Sequence, residues 1–168
     1  MKKYFPMLIA GFGAAVLSVI PILKGFSCCL LIPFASVMSL FLDIRVNKNL
    51  NRISLSKAIL FGFLTGLFAT IFIVKFDLII TFVAKTNDFV ESLPQSEIII
   101  NQMNLGSFTE EPMKLMKSMA DEIRTKGFSS LYAIMIFLSN FITNSIFGII
   151  GGLVGMGIFN KKIGHFTE

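Results

Sequence analysis

The sequence predicts an all-α integral membrane protein with four transmembrane helices, long third and fourth helices, and a helical insert between those two. Hydrophobic residues make up 54% of the 168 residues, and charged residues make up only 15%. Soluble domains carry about 25% charged residues, so this chain has too few polar side chains to cover its apolar surface in water. Four apolar stretches reach the roughly 20 residues that a helix needs to cross a bilayer.

The first two predicted crossings, at about residues 5–23 and 26–42, form a hairpin because only a tight turn around Lys24 and Gly25 separates them. The N-terminal stretch has the basic start of a secretory signal, but no small-x-small cleavage site follows it. We therefore expect an uncleaved helix. Pro33 lies inside the second stretch, where a proline favours a kink that a helical bundle tolerates.

The third and fourth crossings are predicted at about 58–77 and 140–159, and residues 78–139 form the insert. The apolar run at 127–160 would measure about 50 Å as one helix, which is too long for one crossing. The first half of that run is the more polar, so we place the crossing in its second half. Both long helices then project from the membrane on the same side.

Lys75 and Asp77 interrupt the third apolar stretch. The residues from Ala58 to Val74 carry no charge, so both charged side chains fall where a helix that begins at Ala58 reaches the far interface. They are two residues apart and cannot pair along a helix. The sequence favours an interfacial position, and the alternative is a charged pair inside the membrane on a proton or ion path.

The insert contains a predicted amphipathic helix. Thr109 is its expected N-cap and Gly127 its expected stop, with acidic residues and a proline in the first turn. One face carries an apolar set that consists of Met113, Met116, Met119, Ala120 and Ile123. This face is a candidate contact with the projecting ends of the third and fourth helices, with the membrane surface, or with a partner. Its three thioethers also suit Cu(I), although methionine is an ordinary gap-filler.

The basic residues predict the orientation. Most of them lie at the two termini and in the loop between the second and third helices, namely Lys2, Lys3, Arg45, Lys48, Arg52, Lys57, Lys161 and Lys162. Because basic residues in short loops mark the cytoplasmic face, we expect both termini in the cytoplasm and the insert on the extracytoplasmic side. The net charge of +5 thus reflects topology, and no basic stripe with interleaved aromatics indicates nucleic-acid binding.

Small residues in the long helices predict close helix packing. GxxxG pairs occur once in the third helix and twice, overlapping, in the fourth, at Gly62, Gly66, Gly148, Gly151, Gly152 and Gly155. Such residues let helix backbones approach closely inside a membrane. They indicate either internal packing of one bundle or a face for an oligomer or another subunit.

Asn140 and Asn144 lie one helical turn apart in the fourth helix. Asparagine side chains there typically hydrogen-bond across helices, and the alternative is that they line a polar cavity. Together with Lys75 and Asp77, they are the only candidates for a polar path.

The sequence contains no recognisable catalytic set. Cys28 and Cys29 lie near Lys24, a setting that can activate a thiol, but free cysteine usually packs as a small hydrophobic residue. The two cysteines are therefore expected to serve in packing, and the alternatives are redox, acylation or metal chemistry. His165 is the single histidine, and neither a Ser/His/Asp set nor a phosphate-binding glycine loop occurs. We expect no enzymatic activity, no metal and no cofactor.

Three stretches together resemble a known family. They are CCLLIPFASVMSLFL at the second apolar helix, ISLSKAILFGFLTGLFATIF with its GxxxG pair, and the glycine-rich last helix that ends in FNKK. With the helical insert, this layout resembles the small, uncharacterised bacterial four-pass membrane proteins grouped as a domain of unknown function. The resemblance covers most of the chain. It implies an all-helical fold in the bacterial inner membrane, and it implies no activity and no catalytic or binding residues.

These features favour an integral membrane scaffold or an accessory subunit. Its expected partners are the lipid bilayer and either other membrane subunits or further copies of the same chain. The alternatives are a small transporter or channel component and a membrane redox protein that uses Cys28 and Cys29.

Overall fold

The computed structural model describes residues 4–47, 52–102 and 109–164, and within these ranges the chain contains helices and no strands. The predicted all-α class is therefore confirmed. The helices are α1 (Phe5–Ser18), α2 (Pro21–Lys24), a π-helical turn (Ser27–Leu31), α3 (Ile32–Asn47), α4 (Leu55–Ala84), α5 (Asp88–Gln102), α6 (Glu110–Lys126) and α7 (Ser130–Gly164).

Three helical segments in the described part of the chain are long and apolar enough to cross a membrane. They are Cys29–Asn47, Leu55–Ala84 and Ser130–Lys161. Helix α1 is also apolar but is shorter, with 14 residues. By length and composition, these helices suggest a membrane protein.

Prolines set the helix boundaries in the N-terminal half. The stretch predicted as one helix over 5–23 is interrupted after Ser18, and α2 begins at Pro21. Ile20 is extended, with ψ of 121°, because a following proline disfavours the helical conformation. In the second stretch, Pro33 cannot supply an amide proton to the preceding turn. A π-helical turn lies directly before α3, and Pro33 is the second residue of α3.

The chain divides into two compact units. The first combines Met1–Val74 with Phe137–Glu168, and the second is Lys75–Ile136. The second unit spans almost the same residues as the predicted insert of 78–139.

Small residues form much of the interior of the first unit. Helix α1 buries one side, which consists of Pro6, Met7, Ala10, Gly11, Ala14, Ala15 and Ser18, and it packs against α3. Gly11 lies against α4, where an added Cβ would stand 2.9 Å from the amide nitrogen of Ala69 and 2.9 Å from the carbonyl oxygen of Thr65. Five buried hydroxyl groups in this interior donate to helix carbonyls, as Thr65 does to Phe61 at 2.7 Å, and they are therefore satisfied; the other four belong to Ser18, Ser36, Ser39 and Thr70. The buried hydroxyl of Ser145 makes no hydrogen bond.

The second unit has a core of its own. It consists of Val90, Leu93, Met119, Ala120, Ile123 and Tyr132. Helix α6 spans the predicted residues, and Gly127 ends it in the left-handed conformation while donating its amide proton to Ile123 at 2.7 Å. Helix α5 was not predicted, because Pro94 lies inside it. The side chain of Asn87 caps its first turn by accepting the amide proton of Val90 at 3.0 Å.

Replacement of Gly127 tests the closure of α6. Gly127 has φ of 75°, and a Cβ there would stand 2.7 Å from the carbonyl oxygen of Phe82. We expect Gly127→Ala to lower the free energy of unfolding by about 1–2 kcal/mol from backbone strain alone, measured by thermal unfolding in detergent. Gly13→Ala is the matched control, because nothing lies within 4 Å of its added Cβ and alanine favours a helix. Equal destabilisation by both variants would contradict this account.

Candidate functional site

The backbones of α4 and α7 meet through glycines in the first unit. A Cβ added at Gly62 would overlap the carbonyl group of Gly148, and one added at Gly148 would overlap the carbonyl group of Gly62. A Cβ added at Gly66 would likewise overlap the carbonyl group of Asn144. These positions tolerate no side chain while the two helices keep this separation.

The second glycine pair of α7 contacts a different helix. A Cβ at Gly151 would overlap the backbone of Pro33, and one at Gly155 would stand 3.0 Å from Leu40 Cδ1 and 3.3 Å from Val37 Cα, all on α3. Gly152 faces α4 at Ala58. The two overlapping GxxxG pairs on α7 thus serve two neighbouring helices of the same chain. All six glycines singled out from the sequence make contacts inside the bundle.

A buried hydrogen-bond cluster lies between α4 and α7. Asn144 Nδ2 donates to Thr70 Oγ1 at 3.0 Å. The Thr70 hydroxyl lies 2.9 Å from the carbonyl oxygen of Gly66 and 3.1 Å from that of Asn140, so its proton serves both. Asn144 and Thr70 are 2% and 0% exposed. The side chain of Asn144 therefore forms a hydrogen bond from α7 to α4, and the backbone carbonyl of Asn140 accepts one from Thr70.

Asp77 bonds to a residue that the sequence analysis missed. Within the second unit, Tyr132 Oη donates to Asp77 Oδ2 at 2.8 Å. Lys75 is exposed, so Lys75 and Asp77 occupy different environments. No spacing rule could have paired Asp77 with Tyr132, because they are 55 residues apart in the chain. This bond joins α4 to α7 in the second unit.

The methionine face of α6 packs inside the second unit. Met119 and Ile123 belong to its core, and Met113 and Met116 are partly buried against that core. The core also contains Tyr132 from α7, with Leu78 of α4 packed against it. Of the three contacts considered for this face, the structure therefore shows the ends of the two long helices, together with α5. The buried Met119 is no part of an exposed thioether site.

A buried carboxylate in the first unit was also missed. Asp43, which is 2% exposed, lies 2.5 Å from Lys57 Nζ and accepts a hydrogen bond from Asn47 Nδ2 at 2.6 Å. Its Oδ2 makes no directional hydrogen bond and is neutralised by the ammonium group. The sequence analysis did not single out Asp43.

A side chain on α7 closes the loop before α4. Asn160 Oδ1 accepts the amide proton of Ile53 at 2.7 Å, and Asn160 Nδ2 donates to the carbonyl oxygen of Ile53 at 3.0 Å. This paired contact satisfies both backbone groups of a buried loop residue.

The structure describes only part of the remaining candidates, the two cysteines and His165. Cys29 is exposed on the π-helical turn. The side chain of Cys28 and all of His165 lie outside the described residues. Among the residues that are described, no three His, Cys, Asp or Glu side chains form a group that could hold a metal ion.

Replacement of Gly148 tests the contact between α4 and α7. We expect Gly148→Val to lower the free energy of unfolding by about 1–3 kcal/mol or more, because the valine side chain would collide with the backbone at Gly62. Gly157→Val is the matched control, since a Cβ at Gly157 has no neighbour within 4 Å. Unfolding of both variants in detergent gives the comparison, and a fully stable Gly148→Val protein would refute the close contact.

The ion pair at Asp43 should respond asymmetrically to substitution. Lys57→Met leaves the buried carboxylate without its counter-charge, and we expect a loss of about 3 kcal/mol. Asp43→Asn should cost less, because the Lys57 side chain is 33% exposed and can turn towards water. Unfolding of the two single variants and the double variant measures the coupling. A larger loss for Asp43→Asn than for Lys57→Met would contradict this account.

Comparison with known proteins gives one match. No curated protein and no solved structure matches the chain. Residues 3–161 match the profile of the family described as Protein of unknown function (DUF4199). The match spans nearly the whole chain, so the expectation of an uncharacterised family is confirmed. This chain belongs to the DUF4199 family.

Proposed function

We propose that this chain is an integral membrane scaffold or an accessory subunit of a larger membrane assembly. The observation that carries the proposal is the internal use of the small-residue faces. Gly62, Gly66, Gly148 and Gly152 join α4 to α7, and Gly151 and Gly155 join α3 to α7. A bundle closed by backbone contact is a rigid support. Its outer surface is left to contact lipid and partners.

The polar groups also support a scaffold. Asn144 is bonded to Thr70, Asp77 to Tyr132, and Asp43 to Lys57 and Asn47. Each bond joins groups that would be costly to bury alone. These side chains stabilise helix pairs, whereas a transport path needs groups that exchange partners with a passing ion.

We propose that the chain crosses the bacterial inner membrane four times, with both termini in the cytoplasm and the helical insert outside. The basic residues near the termini and before α4 support this orientation. Helix α1 would supply the first crossing together with α2. As α1 alone measures about 21 Å, it needs α2 to approach the roughly 30 Å of the hydrocarbon core.

Native purification tests the proposal. The chain is extracted in mild detergent, and the mass of the particle and each co-purifying component are identified. We expect a reproducible complex with other membrane proteins or a homo-oligomer of fixed size. Gly157→Val and Gly148→Val are compared in the same purification. We expect both to reduce assembly only in proportion to the loss of stability, because the GxxxG contacts lie inside the bundle.

A second candidate is a small transporter or channel component, in which the half-buried Asp77 would exchange its bond to Tyr132 for a passing ion. Lys75→Ala and Asp77→Ala distinguish the two functions. If the variants assemble normally but lose a flux that the unaltered protein supports, the chain is a transporter. A monodisperse monomer that binds no other protein would overturn the scaffold proposal.

A further inference from the structure

The second unit carries an exposed apolar patch at the end of α4. It consists of Ile79, Phe82, Val83 and Phe128, which are 60%, 61%, 78% and 42% exposed. We call this patch the collar. Its parts lie together, because a Cβ at Gly127 would stand 2.7 Å from the carbonyl oxygen of Phe82, and Phe128 follows Gly127. Side chains of this size and exposure on a water-facing unit need a covering surface.

The collar contrasts with one side of α6 in the second unit. The outer side of α6 carries charged and polar residues, which include Lys114, Lys117, Ser118, Asp121 and Arg124. Residues on this side form ion pairs, and Lys117 Nζ lies 2.6 Å from Glu97 Oε1. This charged side of α6 therefore differs from the collar, although Ile98, Ile99 and Leu115 of the second unit are exposed as well.

Helix length indicates what covers the collar. Leu55–Ala84 is one continuous apolar helix of 30 residues, or about 45 Å at a rise of 1.5 Å per residue. The hydrocarbon core measures about 30 Å, and the bilayer with its headgroups about 40–45 Å. Lys57 pairs with Asp43 near the start of α4, and a length of about 30 Å from Lys57 reaches Asp77. The collar residues of α4 then fall within the next headgroup layer.

Charged residues bracket the collar as they do at membrane interfaces. Lys75, Ile79 and Val83 are spaced four residues apart and therefore share one side of α4. Lys75 and Lys85 are both exposed. A lysine in this position packs its aliphatic stem on apolar surface and extends its ammonium group to the lipid phosphates. The polar segment Lys85-Thr86-Asn87 follows directly, where α4 ends.

We propose that the collar lies in the headgroup layer of the bilayer, so that the second unit rests on lipid and is not held away from it in water. The occupant of this surface is membrane lipid. The proposal rests on the membrane-spanning role proposed above for α4.

Tryptophan fluorescence tests this position, because the chain contains no tryptophan. Phe82→Trp and Val83→Trp each introduce a single reporter at an exposed site. Ile146→Trp marks the apolar surface of α7 in the first unit, where Ile146 is 53% exposed. Ser118→Trp marks the charged side of α6. Each full-length variant is reconstituted into phosphatidylcholine vesicles whose acyl chains carry bromine either near the headgroup or near the chain end.

We expect Phe82→Trp and Val83→Trp to lose more emission to the shallow bromine than to the deep one. Ile146→Trp should show the reverse, and Ser118→Trp should lose none. Collar reporters that behave like Ser118→Trp would overturn the proposal, whether water or another protein covers them. Collar reporters that behave like Ile146→Trp would place the collar in the hydrocarbon and also overturn it. If Ile146→Trp is itself unquenched, the membrane-spanning role of the bundle fails as well. The two collar variants report independently if one of them does not fold.

Discussion

The direct backbone contact between α4 and α7 is the constraint on which the first unit depends. Helices that associate inside a membrane gain no hydrophobic free energy, because lipid tails are as apolar as helix surfaces. Association therefore relies on dispersion contacts and hydrogen bonds at short range. Glycine at Gly62 and Gly148 brings the two backbones to that range. The same proximity places Thr70 within reach of both Asn144 and the carbonyl of Asn140. The polar cluster is thus a consequence of the glycine contact, and it fixes the register at which the contact occurs.

Helix α7 shows how one sequence pattern serves two interfaces. Gly148 and Gly152 face α4, whereas Gly151 and Gly155 face α3. Positions three residues apart on a helix differ by about 60° in direction, so two overlapping pairs can serve two neighbours at once. The opposite side of α7 remains aliphatic and exposed, as Ile146 and Ile150 show. The division of α7 into packed and exposed sides follows from this arrangement.

The fold class and the glycines could be predicted from sequence because both depend on local composition and spacing. Helix α6 was equally accessible, since its acidic first turn and Gly127 are local signals. Helix α5 was missed because Pro94 reads as a breaker. The partners of Asp43 and Asp77 could not be predicted, because Lys57 and Tyr132 come near them only through tertiary packing. Sequence alone also could not predict that the methionine face of α6 is buried within the second unit. The spacing of Met119 and Ile123 is the same whether that face packs inside the chain or contacts a partner.

The overlapping glycine pairs of α7 limit how this chain can change in length during evolution. One residue inserted between Gly148 and Gly155 would turn every later position by about 100° around the helix. Gly155 would then leave α3, and a residue with a side chain would enter the contact. Substitutions on the exposed side can accumulate freely, but insertions and deletions within these roughly two turns of helix cannot be absorbed locally. Relatives of this protein should therefore vary in length in their loops and keep a constant residue count through this part of α7.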